Sequence, residues 1–217
     1  LRFVFEGDDL KQLSTVAGLV AGERWPEQWG APGAAVDFHD AKGDVEALLG
    51  LVGAGFEFVP GEHPALHPGQ SARILRSGRE VGWIGALHPR LVRELDLERA
   101  PLLWELDEYL TFAAELPVFS EISRFPAIRR DIALVVDAAV PVGALLAAIR
   151  AAGGERLTES KVFDVYSGER IDSGRKSVAF GLILQDSSRT LTDDVADAVV
   201  ADVVARLTSE FGARMRD

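Results

Sequence analysis

Apolar and polar positions along the chain change their period several times, and each change marks an element. "LRFVFE" (residues 1–6) and "LSTVAGLVAG" (13–22) read as strands, and "WPEQWGAPGA" (25–34), rich in Pro, Gly and Trp, reads as a loop after them. From Asp37 onward "FHDAKGDVEALLGLV" places Val45, Leu48, Leu49 and Val52 at helical spacing, and Gly53 and Gly55 supply its stop. Short strands come next at "FEFV" (56–59), "SARILRS" (71–77) and "EVGWIGALH" (80–88), with Ser77-Gly78 as a tight hairpin turn. "PRLVREL" (89–95) opens on a helix-initiating proline, and "PLLWELD" (101–107) is a further strand. These elements predict an antiparallel sheet carrying helices.

Two prolines and mixed polarity in "AAELPVFSEISRFPAI" (113–128) break the pattern, which sets an expected domain boundary near Leu116. The second half is simpler. Strands at 130–137, 157–166 and 176–185 alternate with a helix at 141–154, which opens on Pro and closes on Gly-Gly, and a long helix at 192–212. Thr192 is the expected N-cap of that long helix, Asp193 and Asp194 sit in its positive first turn, and Val195, Val199, Val203, Leu207 and Phe211 form its stripe. "ARMRD" at the end can add a short edge strand. The order β-α-β-β-α-β is the ferredoxin-like arrangement.

In such a fold both helices cover one face of the sheet and leave the other open. Period-two alternation then sorts the side chains. Ile132, Leu134 and Val136, Phe163 and Val165, and Val178, Phe180, Leu182 and Leu184 are expected toward the helices. Asp131, Ala133 and Val135, Asp164 and Tyr166, and Ser177, Ala179 and Gly181 are expected on the open face. "FDVYSG" (163–168) thus sets a carboxylate and an aromatic ring side by side among small residues. Such a surface suits a splayed nucleotide base: the ring stacks, and the carboxylate accepts from N–H groups, for which guanine's Watson–Crick edge is the best match. The plainer alternative is that both are ordinary surface residues.

Charge at first argues against a nucleic acid partner, since the net value is −11. Its distribution changes that conclusion. Residues 1–117 carry ten basic and 19 acidic side chains, whereas residues 118–217 carry 13 and 15. The basic residues of the second half come in groups: Arg124, Arg129 and Arg130; Arg170, Arg175 and Lys176; Arg189; Arg214 and Arg216. A nearly neutral domain can offer a local basic surface.

Other composition narrows the chemistry. The 217 residues suffice for one large or two small domains, and no apolar run reaches the roughly 20 residues of a membrane span. No signal-peptide pattern is present, so a cytoplasmic location is expected. With no cysteine there is no disulfide framework, thiol nucleophile or thiolate metal site. His63 and His67 are four apart, but the prolines of "EHPALHPG" make a turn the expected structure and no metal is expected there. His39 and His88 have no evident partners, and Trp25, Trp29, Trp83 and Trp104 read as core or interface anchors. The chain starts within a strand pattern, as a piece of a longer polypeptide would.

"FPAIRRDIALVVD", "KVFDVYSGERIDSGRKSVAFGLILQDSSRTLTDD" and "EFGARMRD" resemble the ferredoxin-fold anticodon-binding domain of the bacterial phenylalanyl-tRNA synthetase β-subunit family. "VDFHDAKGDVEALL" (36–49), "HPGQSARIL" (67–75), "VGWIGALHP" (81–89) and "LWELD" (103–107) resemble the catalytic-like module before it. The likeness covers essentially the whole chain. It implies an α+β architecture: an antiparallel, class II synthetase-like but non-catalytic subunit-interface domain at 1–116, then a ferredoxin-like βαββαβ anticodon-binding domain at 117–217.

It also implies an α2β2 ligase that joins phenylalanine to its tRNA with ATP and Mg2+, both held on the α subunit. Neither a Phe-Arg-x-Glu stretch nor a Gly-rich motif ending in arginine is present here, and the family's editing domains are absent. No catalytic residue and no cofactor of this chain's own is therefore expected. In the family the first anticodon base, guanine, stacks on the tyrosine of F-D-x-Y, here Tyr166, and the aspartate, here Asp164, faces its polar edge. Ala133 and Ser177 match the family's small residue and serine on neighbouring strands. Arg129, Arg130, Arg175, Lys176 and Arg189 are weaker candidates for phosphate contacts. Neither DNA nor a membrane is implied. A regulatory module that dimerises through its open sheet is the alternative, since small outward residues such as Ala133, Ala179 and Gly181 would serve it too; an independent enzyme finds no nucleophile, metal cluster or phosphate loop.

Overall fold

The computed structural model describes residues 2–53, 55–112, 119 and 122–216. It divides into two compact units, residues 1–118 and 119–217. The expected boundary near Leu116 lies outside the described residues.

The first unit begins with a hairpin, β1 (Arg2–Glu6) and β2 (Asp9–Leu13), turning at Gly7 with φ +66°. The polar composition of β2 gives no strand signal in the sequence. β3 (Thr15–Val20) joins β4 (Phe56–Pro60), β5 (Leu66–Arg76), β6 (Arg79–Leu87) and β7 (Leu102–Asp107) in a sheet of order β3-β7-β6-β5-β4, antiparallel throughout. Ser77 and Gly78 both take positive φ, 51° and 77°, in a two-residue loop, as a hairpin turn matched to strand twist requires.

α1 (Phe38–Gly50) lays Ala41, Val45 and Leu49 on Ile74, Val81, Ile84, Ala86, Leu102 and Leu106, all buried. Its N-terminus is a capping box. The Asp37 carboxylate accepts from the His39 and Asp40 amides, and Asp40 accepts from the Asp37 amide. Arg24 bridges both acids, with Nε 2.9 Å from Asp40 Oδ2 and Nη2 3.0 Å from Asp37 Oδ2. Two short helices, α2 (Pro89–Glu94) and α3 (Glu108–Thr111), complete the unit.

The second unit runs β8 (Ile128–Asp137), α4 (Val142–Gly153), β9 (Leu157–Tyr166), β10 (Arg175–Leu184), α5 (Asp193–Phe211) and β11 (Arg214–Met215). Its antiparallel sheet has the order β11-β8-β10-β9, the ferredoxin-like order. α4 and α5 pack together on one face. Leu145, Ala148 and Ile149 of α4 and Val203 and Leu207 of α5 meet Ile132, Leu134, Val136, Val178, Phe180 and Leu182. Thr192 precedes α5 but its side chain makes no cap hydrogen bond, and Ala196 takes the place expected for Val195 in the buried stripe. Gly212, at φ +60°, ends α5 in the left-handed conformation that lets the chain turn directly into β11.

No helix among the described residues is long and apolar enough to cross a membrane. Phe180 is fully buried between sheet and helices. Phe180→Ala should lower the stability of the second unit by about 3–5 kcal/mol, read from denaturant unfolding followed by circular dichroism. A second expectation concerns acid. The Asp37 amide, assisted by the Arg24 guanidinium, holds the Asp40 carboxyl below its ordinary value of 3.8. A carboxyl with a depressed folded-state pKa contributes its stabilisation fully above the ordinary value and loses it as pH falls through the folded one. Thermal stability should thus drop as pH falls below about 4, and Asp40→Asn should lower stability near neutral pH while flattening that drop, so that variant and wild type converge in acid.

Candidate nucleic-acid interface

The helix-side core decides which side chains remain for the other face of the four-stranded sheet. Val178, Phe180, Leu182 and Leu184 are buried under the helices, so Ser177, Ala179 and Gly181 turn away from them. Register then carries this assignment to the neighbouring strands. Ala133 lies opposite Ala179, Asp131 opposite Gly181, Asp164 opposite Ala179 and Tyr166 opposite Ser177. Asp164, Tyr166, Ala133 and Ser177 therefore share one face, on three adjacent strands.

β9 departs from strict alternation. Val165 pairs with Val178 and Val162 with Phe180, so residue 163 is extra, a bulge opposite the step from Ala179 to Phe180. Val162, not Phe163, packs against the core. Alternation sends Phe163 toward the helices; the bulge instead turns it to the open face, where it is 53% exposed and the Arg129 guanidinium lies 5.8 Å from its ring centroid. Val165 faces the helix side as expected but extends past the core and is also 53% exposed.

The small residues face the open side but are not bare. Ser177 is only 2% exposed, and Ala179 and Gly181 are also buried. Arg216 covers part of this area: its Nη1 stands 3.3 Å from Ser177 Oγ and its guanidinium 5.4 Å from the Tyr166 ring centroid. β11 makes this possible, because its pairing with β8 and the bond from the Arg216 amide to Ala133 O aim the side chain across the sheet. Arg129 lies beside Gly181. The Tyr166 hydroxyl end rests on Gly168, where an added Cβ would come within 2.4 Å of Oη. Tyr166 itself is 37% exposed.

The other cations fall into two groups. Arg129 pairs with Asp131 at 2.8 Å on the open side, and that hydrogen bond raises the guanidinium pKa. Arg130, a candidate for phosphate contact, sits instead on the helix face, bonded to Asp193 at 2.5 Å and Asp197 at 2.8 Å, which tie β8 to the first turn of α5. Lys176 pairs with Val136, also on the helix side, and donates to Ala138 O. Arg175 donates to Val135 O and Gly212 O. Arg189 stands 3.8 Å from Asp186, whose carboxyl is held below its ordinary range chiefly by bonds from Ser188.

In the first unit the histidines serve local structure. His63 Nδ1 accepts from the Ala65 amide and its ring stacks on Trp83 at 4.6 Å, His67 accepts from the Gly69 amide, and His88 caps α2. His39 meets Phe38 edge to face. Trp104 packs against the core, whereas Trp25 and Trp29 stand exposed. The described residues contain no group of three or more His, Cys, Asp or Glu able to hold a metal ion. A cleft of about 700 Å3 lined by Arg2, Arg79, Glu80, Trp83, Glu105 and Asp107 is crossed by the Arg2–Glu105 ion pair at 3.3 Å.

Sequence reasoning missed two residues of the face. Period-two spacing of Arg214 and Arg216 on a strand next to β8 would have pointed to Arg216. The bulge that exposes Phe163 leaves no signal in the residue pattern.

Comparison with known proteins agrees with both units. Residues 123–216 match the family described as "Ferredoxin-fold anticodon binding domain", and residues 3–108 match "Phenylalanyl tRNA synthetase beta chain CLM domain". Among relatives, the phenylalanine-tRNA ligase beta subunit of Methylococcus capsulatus is 48% identical over 218 residues, and that of Pseudomonas syringae pv. tomato 50% over 218, each alignment covering 100% of this chain. The Coxiella burnetii beta subunit is 45% identical over 213 residues, 97% of this chain. The chain spans about 28% of the length of the first two of these relatives. Two domain matches in order and near-50% identity along the entire chain place it in the phenylalanine-tRNA ligase β-subunit family.

Proposed function

We propose that this chain is the tRNA-reading and subunit-docking portion of a cytoplasmic phenylalanine-tRNA ligase. In this reading the whole enzyme is an α2β2 assembly that attaches phenylalanine to its tRNA at the expense of ATP. The observation that carries the proposal is the meeting of Asp164 and Tyr166 on one open sheet face with Ala133 and Ser177 behind them. The Tyr166 ring offers a stacking surface, and the neighbouring carboxylate is an acceptor for N1–H and N2–H2 of a guanine. Arg216 is the cation nearest to that ring and must share or yield its place to the base.

The first unit supports the docking half of the proposal. Phe3, Phe5 and Leu10 on the β1–β2 hairpin and Trp25 and Trp29 on the following loop are exposed, more large apolar surface than a solvated module needs. The cleft near Trp83 is crossed by the Arg2–Glu105 ion pair, and the proposal assigns no residue of this chain to magnesium or ATP. In the proposed enzyme they belong to the α subunit. Dimerisation through the open sheet finds less support. The small residues that would allow close sheet contact, Ser177, Ala179 and Gly181, are already covered by side chains of the same chain.

A labelled anticodon stem-loop bearing GAA, compared with one bearing CAA, provides the test. The GAA stem-loop should bind the chain more tightly, and Tyr166→Ala should remove about 1–3 kcal/mol of that binding along with the preference. Equal binding of both stem-loops would refute anticodon reading at this face. Gly168→Ala should act on the ring without disturbing the fold, because the clash falls on the far end of the Tyr166 side chain. It is expected to weaken GAA binding less than Tyr166→Ala and to leave the unfolding midpoint unchanged.

A further inference from the structure

We infer that Phe163 is a second base-stacking platform, which takes an unpaired nucleotide adjacent to the one on Tyr166. The inference rests on the anticodon reading but extends it to a residue that alternation assigns to the core. A lone exposed ring is ordinary by itself, but Phe163 is more exposed than Tyr166 on the same face, 53% against 37%. Here the backbone spends a bulge to place it there. Without the extra residue at 163, alternation would take the ring to the helix side, where Val162 now packs against the core.

Its surroundings suit an RNA strand. Phe163 and Tyr166 are three residues apart, roughly 10 Å along a strand that rises about 3.3 Å per residue. That separation is too long for two bases stacked on one another and fits two splayed bases, each on its own ring. Each ring is attended by a guanidinium, Arg129 at 5.8 Å from Phe163 and Arg216 at 5.4 Å from Tyr166. Arginine beside an aromatic ring can stack on a base or meet the phosphate that follows it. Asp131 holds Arg129 in place by the 2.8 Å bond to Nε, which leaves the Nη groups to face other partners. Lys161, opposite Gly181 on the same face, adds an ammonium with no carboxylate partner among the described residues. The open face is thus a strip with two rings in line and cations along it. A peptide would meet no continuous apolar groove here, and β9 is the edge strand that a single-stranded RNA can approach from solvent.

The test pairs ring variants with stem-loops that lack one base. Phe163→Ala and Phe163→Leu should each weaken binding of the GAA stem-loop on the order of tenfold, while Phe163→Trp retains it, since stacking needs a ring and apolar packing does not. Removing the base next to the guanine should lower affinity for the wild-type chain and have little further effect on Phe163→Ala. Removing the guanine itself should still weaken Phe163→Ala. Wild-type affinity in Phe163→Leu, with Tyr166→Ala impaired, would overturn the second platform and leave the anticodon reading standing. Equal loss for every base removed, in every variant, would overturn the assignment of Phe163 to one nucleotide. No binding by the wild-type chain would overturn both readings. Unchanged circular dichroism melting of the Phe163 variants separates a lost contact from a lost fold.

Discussion

The core between the four-stranded sheet and its two helices is the constraint on which the rest depends. Phe180, Leu134, Leu182, Ile149 and Leu207 must all be covered at once, and a one-residue slip of any strand would send its apolar set to the wrong side. Once that register is set, the opposite face has no freedom. Ser177 must stand between Tyr166 and Val135 because Val178 must stand under the helices. The open face is in this sense the complement of the core, held by strands and not by loops.

The bulge in β9 is where the two demands meet. It lets Val162 and Val165 serve the helix side while Phe163, Asp164 and Tyr166 all appear on the other, three functional candidates within four residues. Regular pleating could offer only two. The strand tolerates the irregularity because it lies at the sheet edge, where only one neighbour has to match it.

Most elements were legible because their hydrophobic periods were strong. Large apolar residues recur at every second position from Val178 to Leu184 and from Ile132 to Val136, with Ile183 and Val135 as apolar exceptions between them, and the long helix shows both an acidic first turn and a glycine stop. The alternation that put Asp164, Tyr166, Ala133 and Ser177 together also agreed with the register observed. Other features stayed hidden for particular physical causes. β2 is polar and is held by pairing with β1, so its residues carry no periodic signal. Phe163 was misplaced because a bulge depends on how many residues the partner strand offers, which neither strand shows alone. Arg130 looked like its neighbour Arg129, yet one step along a strand reverses the face, and Asp193 and Asp197 wait on that side. Occlusion of Ser177 is set by Arg216, 39 residues later in the chain and adjacent only after β11 docks.

The engagement of the arginines has a consequence for ionic strength. Arg129 is already bonded to a carboxylate, Arg130 to two, and Arg175 and Lys176 to backbone carbonyls. A phosphate arriving at Arg129 or Arg130 displaces a carboxylate whose freed negative charge gathers cations of its own, so fewer are released per contact there. Arg175 and Lys176, bonded only to uncharged carbonyls, would release the RNA's cations in full. For an RNA bound to this unit, added salt would therefore weaken the complex less steeply than the number of basic residues suggests, and discrimination between bases would outlast the general attraction to phosphate.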